Sequence, residues 1–319
     1  MPLSMPLLNF LQRITFILLF LSFFSILTVK ADEKSESTNS TPTKPTTNTP
    51  SATTNSSNKI SKDELEKVAD KLIDPLSDLW FVFMTNYTTN LFNENTNKNY
   101  KMNQFMIQPV LPYVIKKDKI ILMNRPSFLV TTVPDFKSGG YDTYVTNFSW
   151  SSILGYKTDF GLIYGVGPAI SFPAHNKIST PNYRVGGTSI FYYMQPKFVT
   201  GFNYSHYVDL ENEEQRQYTN TGVLQYVFTY RITPLLSIAS ASQIEMIYTS
   251  KGLEYNLPIG LSMSKTFSIG KLPLSFGVGY QYVVKNNQLV EDANLKQDHR
   301  VSFTLMTVLP NPFHLDKFR

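Results

Sequence analysis

Residues 257–284 read LPIGLSMSKTFSIGKLPLSFGVGYQYVV. Apolar and small or polar residues alternate through this stretch, with one break at Gly270-Lys271. A period of two is the signature of a β-strand, whose successive side chains point to opposite faces. The break marks a tight hairpin. One face carries Leu257, Ile259, Leu261, Leu274, Phe276, Val278, Tyr280 and Tyr282. The other carries Gly260, Ser262, Ser264, Ser275, Gly277, Gly279 and Gln281. A soluble sheet sets apolar residues inward against charged residues outward. Here the second face is small and nearly uncharged, as expected of a wall that faces an open interior.

The same period extends from residue 79 to residue 309. Twelve strands are expected, at 79–92, 100–115, 120–133, 141–154, 159–172, 182–194, 198–207, 218–232, 235–248, 255–268, 272–284 and 298–309. These are far longer than the usual strand of about five or six residues, and they suit a tilted crossing of a bilayer, which takes about 9–11. Strand 159–172 sets Phe160, Leu162, Tyr164, Val166, Ile170 and Phe172 against Gly161, Gly165, Gly167, Ala169 and Ser171; strand 182–194 alternates poorly. Apolar patches of such extent are rare on soluble monomers. In lipid they match the solvent, and only a closed barrel leaves no unpaired sheet edge there.

The connections support closure. Long polar ones, such as NENTNKN, PDFKSGG, PAHNKISTP, the acidic 208–217, TSKGLE and 285–297, alternate with short ones such as KKDK, QPK and IGK. An even-numbered antiparallel barrel with long loops on one rim and tight turns on the other has this rhythm. The fold expected is therefore all-β, a transmembrane antiparallel barrel of about 12 strands. Tyr113, Tyr230 and Phe267 on the turn side, and Tyr87, Tyr144, Tyr248 and Tyr282 on the loop side, are expected in interfacial aromatic girdles.

Composition agrees. Aromatics make up 14% and charged residues only 17% of the 319 residues, against about 25% charged in soluble domains. With no cysteine, disulfides and thiolate chemistry are excluded. The net charge of +5 is scattered rather than clustered, which argues against nucleic acid.

Three segments flank the barrel. Residues 1–31 read as a secretory signal peptide, with Arg13, an apolar run from Ile14 to Val29 and a small-residue cleavage site ending at Ala31. Residues 32–58 are a Ser/Thr/Asn/Pro linker too poor in apolar residues to order itself. Residues 59–76 hold a short amphipathic helix, 62–73, with Ser61 and Glu64 as a capping box and Ile60 and Leu65 as a staple. Leu65, Val68, Ala69, Leu72 and Ile73 form its stripe, and Pro75 ends it. This stripe needs a partner: the barrel wall, a second chain or a membrane surface. Plugging the lumen is one such role. Residues 310–319 form a tail.

With both barrel ends on the turn side, the inward set includes Gln104, Gln108, Arg125, Asn147, Asn203, Gln225, Arg231, Gln243, Glu245 and Gln281. Neutral amides suit a wet passage without strong charge selection. Arg125, near mid-strand, is the candidate constriction or substrate contact; the alternative is a structural arginine bonded to neighbouring amides or to Glu245. Twelve strands enclose more than the filled eight-stranded case and less than a 16-stranded porin, so a narrow or partly plugged channel is expected.

Hydrolytic chemistry needs a serine or other nucleophile within reach of a base. The four histidines are His175 in a loop, His206 on the lipid-facing phase beside inward Ser205, His299 near a strand end and His314 in the tail. None forms a dyad by position, and there is no metal-ligand cluster or phosphate loop. No enzymatic activity, catalytic residue, metal or cofactor is expected.

Four stretches carry a family resemblance: IDPLSDLWFVFMTNYTTN (73–90), MIQPVLPYVI (106–115), IYGVGPAISFPA (163–174) and the opening 257–284. Over about 71–310 the chain resembles the outer-membrane barrels of the MetA-pathway of phenol degradation family, also called neuromedin U-like putative transporters. The resemblance implies a passive outer-membrane channel for small, often apolar or aromatic, molecules in a Gram-negative bacterium. Outer-membrane lipid and the barrel assembly machinery would be its partners, and the solute is unspecified. A non-conducting structural or adhesive surface barrel, using loops 208–217 and 285–297, is the alternative. The linker is longer than the family leads one to expect, and the chain continues past its last strand to Arg319 instead of finishing on an aromatic.

Overall fold

The computed structural model describes residues 60–94, 96–135, 139–174, 182–210, 220–249, 252–286 and 295–309. The expected signal peptide, linker and tail, and most of loops 173–181, 208–217 and 285–297, lie outside them, as do His175 and His314. A helix, α1 (Lys62–Leu72), precedes thirteen strand segments: β1 (Phe81–Asn93), β2 (Lys98–Lys116), β3 (Ile120–Pro134), β4 (Tyr141–Lys157), β5 (Leu162–Phe172), β6 (Arg184–Met194), β7 (Phe198–Asp209), β8 (Asn220–Thr233), β9 (Leu236–Thr249), β10 (Gly252–Tyr255), β11 (Leu257–Ile269), β12 (Leu272–Lys285) and β13 (Leu295–Val308).

Segments β10 and β11 are one stave of the barrel. Tyr255 sits opposite Met246 and Ser262 opposite Ala239, so both segments hold the same register against β9. Every neighbouring pair is antiparallel, and β1 pairs with β13 from Phe81↔Val308 to Asn93↔Leu295. The sheet thus closes on itself as a twelve-stave barrel, the number the sequence pattern predicts.

The alternation resolves as expected on the outside. Val166 and Leu261 are each 67% exposed, and Ile259, Met263, Phe276, Val278, Tyr280 and Tyr282 are exposed with them. Phe128, Phe148, Phe172 and Tyr183 form a ladder of ring contacts across β3, β4, β5 and the residue that precedes β6, with centroids 4.6, 4.9 and 6.0 Å apart. Soluble proteins bury such rings; here the surrounding solvent must be apolar.

Two expected loops are tighter than their polarity suggests. Only residues 94–97 separate β1 from β2, and only 250–251 separate β9 from β10. The hairpins continue their ladders above the apolar belt, as in Asn93↔Lys98, where an outward side chain need not be apolar. Polar strand therefore read as loop. At the other rim, β4 runs to Lys157, and the turn falls at Thr158–Gly161, where the Leu162 N–H donates to Thr158 Oγ1 at 2.9 Å.

The wall also has a local gap. Between Ile107↔Phe128 and Leu111↔Asn124 the β2–β3 register skips three pairs, and Pro109 and Pro126 fall opposite each other there. Neither has an N–H to give, so the ladder cannot close at that level.

The helix lies across the turn-side mouth. Its cap forms as expected: the Glu64 N–H donates to Ser61 Oγ at 3.2 Å, while the Ser61 N–H donates to Glu64 Oε2 at 3.1 Å. Leu65, Ala69 and Leu72 are buried. The Ile60 N–H bonds to the carbonyl of Gly270 in the β11–β12 turn at 3.3 Å. At the far end Asp74 and Leu76 meet β4, six staves away around the ring of twelve. An 11-residue helix is about 16 Å long, and with the Ile73–Leu76 segment it bridges the barrel.

Candidate functional site

The interior is built in two tiers. In the turn-side tier, Leu72 and Leu76 pack into one apolar cluster with inward residues of successive strands: Phe81, Val110, Ile121, Met123, Ile153, Ile163, Ile190, Tyr192 and Val199. Ile153 and Ile163 are 0% exposed. Leu76 occupies a socket over Gly155, where an added Cβ would come within 2.4 Å of Leu76 Cδ2. Burying a leucine contributes roughly 2 kcal/mol, so two of them hold the helix in place. Ion pairs flank this contact. Lys157 Nζ lies 2.6 Å from Asp74 Oδ2, and Arg231 pairs with Asp70.

Above this floor lies a cavity of about 430 Å³. Leu72, Ile73, Asp74 and Pro75 form its base, and the wall above mixes serines, threonines and amides with aliphatic and aromatic side chains. Of the residues expected to line a lumen, Gln108, Arg125, Asn147, Asn203, Gln225, Gln243 and Gln281 surround this cavity. Gln104 and Glu245 do not. Both share the inward phase nearer the loop rim, Gln104 opposite Tyr87 and Glu245 opposite Val223. Arg231 is inward too, but it serves as the anchor for Asp70 rather than lining the cavity.

Arg125 donates from Nη2 to Gln108 Oε1 at 2.9 Å, and its buried Nε finds no acceptor. The expected amide contact is therefore present. Among the described residues, no carboxylate, Glu245 included, lies within ion-pair distance of the Arg125 guanidinium. Asn147 accepts from Ser171 at 2.9 Å, and Asn203 accepts from Thr188 at 3.3 Å. Gln281 donates to the Ala241 carbonyl at 3.3 Å. These amides are mostly committed to the wall.

The small residues of the opening hairpin do less to enlarge the interior than their size implies. A Cβ on Gly279 would come within 2.5 Å of Ser302 Oγ. Neighbouring strands fill that space, and glycine here permits close packing of the wall.

Several interior residues are missing from the expected lumen set. Tyr87 and Tyr144 were expected in the girdle, yet both point inward. Tyr87 lines the cavity, 5.4 Å from the Arg300 guanidinium. A register shift at Leu129/Val130 moves the inward phase of β4 from odd to even positions, which turns Tyr144 in; its hydroxyl donates to Asp142 at 2.8 Å. Arg184 donates to Thr221 at 3.0 Å and to Ser171 at 3.1 Å. Arg300 donates to Thr89 at 3.3 Å and to Gln297 at 3.1 Å. Both arginines occupy inward positions that alternation alone would have flagged.

The histidine positions are equally explicit. His206 faces outward, its Nδ1 3.0 Å from the Tyr204 hydroxyl, while Ser205 turns inward and donates to Thr188 at 2.9 Å. The two lie on opposite faces of the wall. His299 contacts the Tyr280 hydroxyl at 2.5 Å, also on the outer face.

A closed barrel with an apolar exterior, a partly polar cavity and a helix across its mouth defines a transmembrane β-barrel with a plugged lumen. No family model and no curated protein matches the chain. Solved structures similar to it include the COG4313 outer membrane channel from Pseudomonas putida F1, at 14% identity over 74% of this chain and 97% of that one, with a TM-score of 0.48. Outer membrane phospholipase A from Escherichia coli gives 11% identity over 70% and 89%, TM-score 0.41. The translocator domain of the autotransporter NalP from Neisseria meningitidis gives 8% over 77% and 94%, TM-score 0.41. At these identities the likeness is one of architecture.

Proposed function

We propose that this protein is a narrow, passive channel for small molecules in the outer membrane of a Gram-negative bacterium, held closed at its turn-side mouth by α1. The observation that carries this reading is the partly polar cavity seated directly on a floor made by α1 and the segment after it. The floor is a separate element, joined to β1 through residues 73–80 and fixed by buried apolar side chains, two ion pairs and the Ile60–Gly270 hydrogen bond rather than by strand pairing. A barrel filled for rigidity alone needs no hollow above its floor. Arg125, with Gln108, sits in the wall of the hollow and is its selective element. The resemblance to the MetA-pathway of phenol degradation family belongs to the same reading, as do export by the signal peptide with cleavage near Ala31, insertion by the barrel assembly machinery and the lack of enzymatic activity.

Single-channel recording of the full mature chain in planar bilayers tests it. A small conductance is expected, rising when the plug contacts are removed in Asp70→Ala/Lys157→Ala. Silence in both proteins, with no solute flux in proteoliposomes, overturns the channel. That outcome would favour a non-conducting surface barrel, a reading that the occupied mouth itself supports.

A further inference from the structure

Among the described residues that line the cavity two are charged, Asp74 in the base and Arg125 in the wall, and they are not equivalent. Asp74 is neutralised, with Lys157 Nζ 2.6 Å from Oδ2, and its Oδ1 accepts the Leu76 N–H at 2.9 Å. Arg125 has a neutral amide as its partner and an Nε without one. Among the described residues its charge is therefore uncompensated, in a space lined by protein. Burying a cation without a counter-charge is unfavourable, and inside membrane proteins such groups face a wet cavity or pair with an anion. A guanidinium is permanently charged and matches a carboxylate with two parallel N–H donors.

The surroundings specify more than charge. Gln108 adds a polar group at the guanidinium, while Phe83, Met106, Tyr192 and Val223 contribute apolar surface to the same hollow. A volume of about 430 Å³ falls within the usual range for small-ligand sites, roughly 300–1,000 Å³. Resting on the channel reading above, we infer that the cavity binds a small organic monocarboxylate, its carboxylate on Arg125 and its apolar body against the aromatic wall. The conduit thus selects amphipathic organic anions over neutral molecules of the same shape.

Benzoate and its neutral analogue benzamide are the probes, titrated calorimetrically at pH 7.5 into the full mature chain in uncharged detergent micelles, with protein-free micelles as the reference. Benzoate is expected to bind at least about tenfold more tightly than benzamide. Arg125→Gln should abolish that preference, and Arg125→Lys, which keeps the charge and loses the fork, should leave an intermediate one. Equal binding of the two probes by the wild type overturns the proposal, and that comparison stands even if a variant fails to fold. Preserved discrimination in a folded Arg125→Gln variant overturns it as well. Binding in micelles requires no transport, so a barrel that binds benzoate but never conducts sinks the channel and leaves the site. One that conducts without discriminating does the reverse.

Discussion

Asp74 Oδ2 and Lys157 Nζ are 2.6 Å apart, joining the segment after α1 to the turn-side end of β4. Both side chains are largely shielded, 13% and 28% exposed, so the pair lies between the surface case, about 0–1 kcal/mol, and the buried case, where loss of one partner costs about 3–5 kcal/mol. Lys157→Ala should weaken plug seating by about 1–2 kcal/mol, raising channel open probability several-fold in bilayer recordings. Adding Asp74→Ala should partly reverse this, because the stranded carboxylate is then gone.

Gly155 and Leu76 form a size-matched pair. Gly155→Val overfills the socket, and overpacking costs about 1–3 kcal/mol. The expected result is a plug displaced from the wall, seen as faster proteolysis within residues 62–76 while the strands stay protected. Leu76→Ala in the same chain should restore protection. Unchanged proteolysis in Gly155→Val would show that the leucine is not seated on β4.

The capping box makes the helix acid-sensitive. The Ser61 N–H and hydroxyl hold the Glu64 carboxyl below its ordinary value. A carboxyl whose folded value lies below its unfolded value stabilises the fold above the unfolded value, here 4.5, and that contribution is lost as pH falls through the folded one. Plug protection should therefore hold from neutral pH to near 4.5 and decline below it. Ser61→Ala should flatten this decline and lower protection at neutral pH, as hydrogen exchange of α1 across that range will report.

The two faces of one strand should respond oppositely to the same charge. Leu261→Arg places a cation on the outer face, which costs about 2–4 kcal/mol at the bilayer midplane. It should lower the temperature at which the folded band disappears on unboiled gels. Ser262→Arg, one residue on and lining the cavity, should leave that temperature nearly unchanged and reduce conductance.

Alternation carried most of the architecture because two solvents act on one wall. Leu261 must suit lipid and Ser262 must suit the interior, and a period of two records both demands. The reading weakened where a third environment intervened. In β6, Ile190 and Tyr192 face inward while Phe191 and Tyr193 face out, so the strand is apolar on both sides and the period fades. The reason is the plug: Ile163, Ile190 and Val199 form the apolar socket that receives Leu72 and Leu76. These inward aliphatics, recurring at the turn end of successive strands, were the legible trace of an internal partner. Tyr144 was lost to a bulge, which no alternation count can anticipate. The isolation of Arg125 from carboxylates among the described residues depends on which strands neighbour it around a closed ring, a relationship that residue spacing does not encode.

Ile60 is hydrogen-bonded at the β11–β12 turn, and Asp74 and Leu76 engage β4, half a circumference away. A hollow cylinder of hydrogen-bonded strands resists stretching along its wall but flattens easily into an ellipse, because flattening changes few inter-strand distances. A member fixed at both ends of a diameter removes that soft deformation along one axis. The helix is therefore a strut as well as a stopper, and withdrawing it would change the roundness of the barrel along with the width of its mouth.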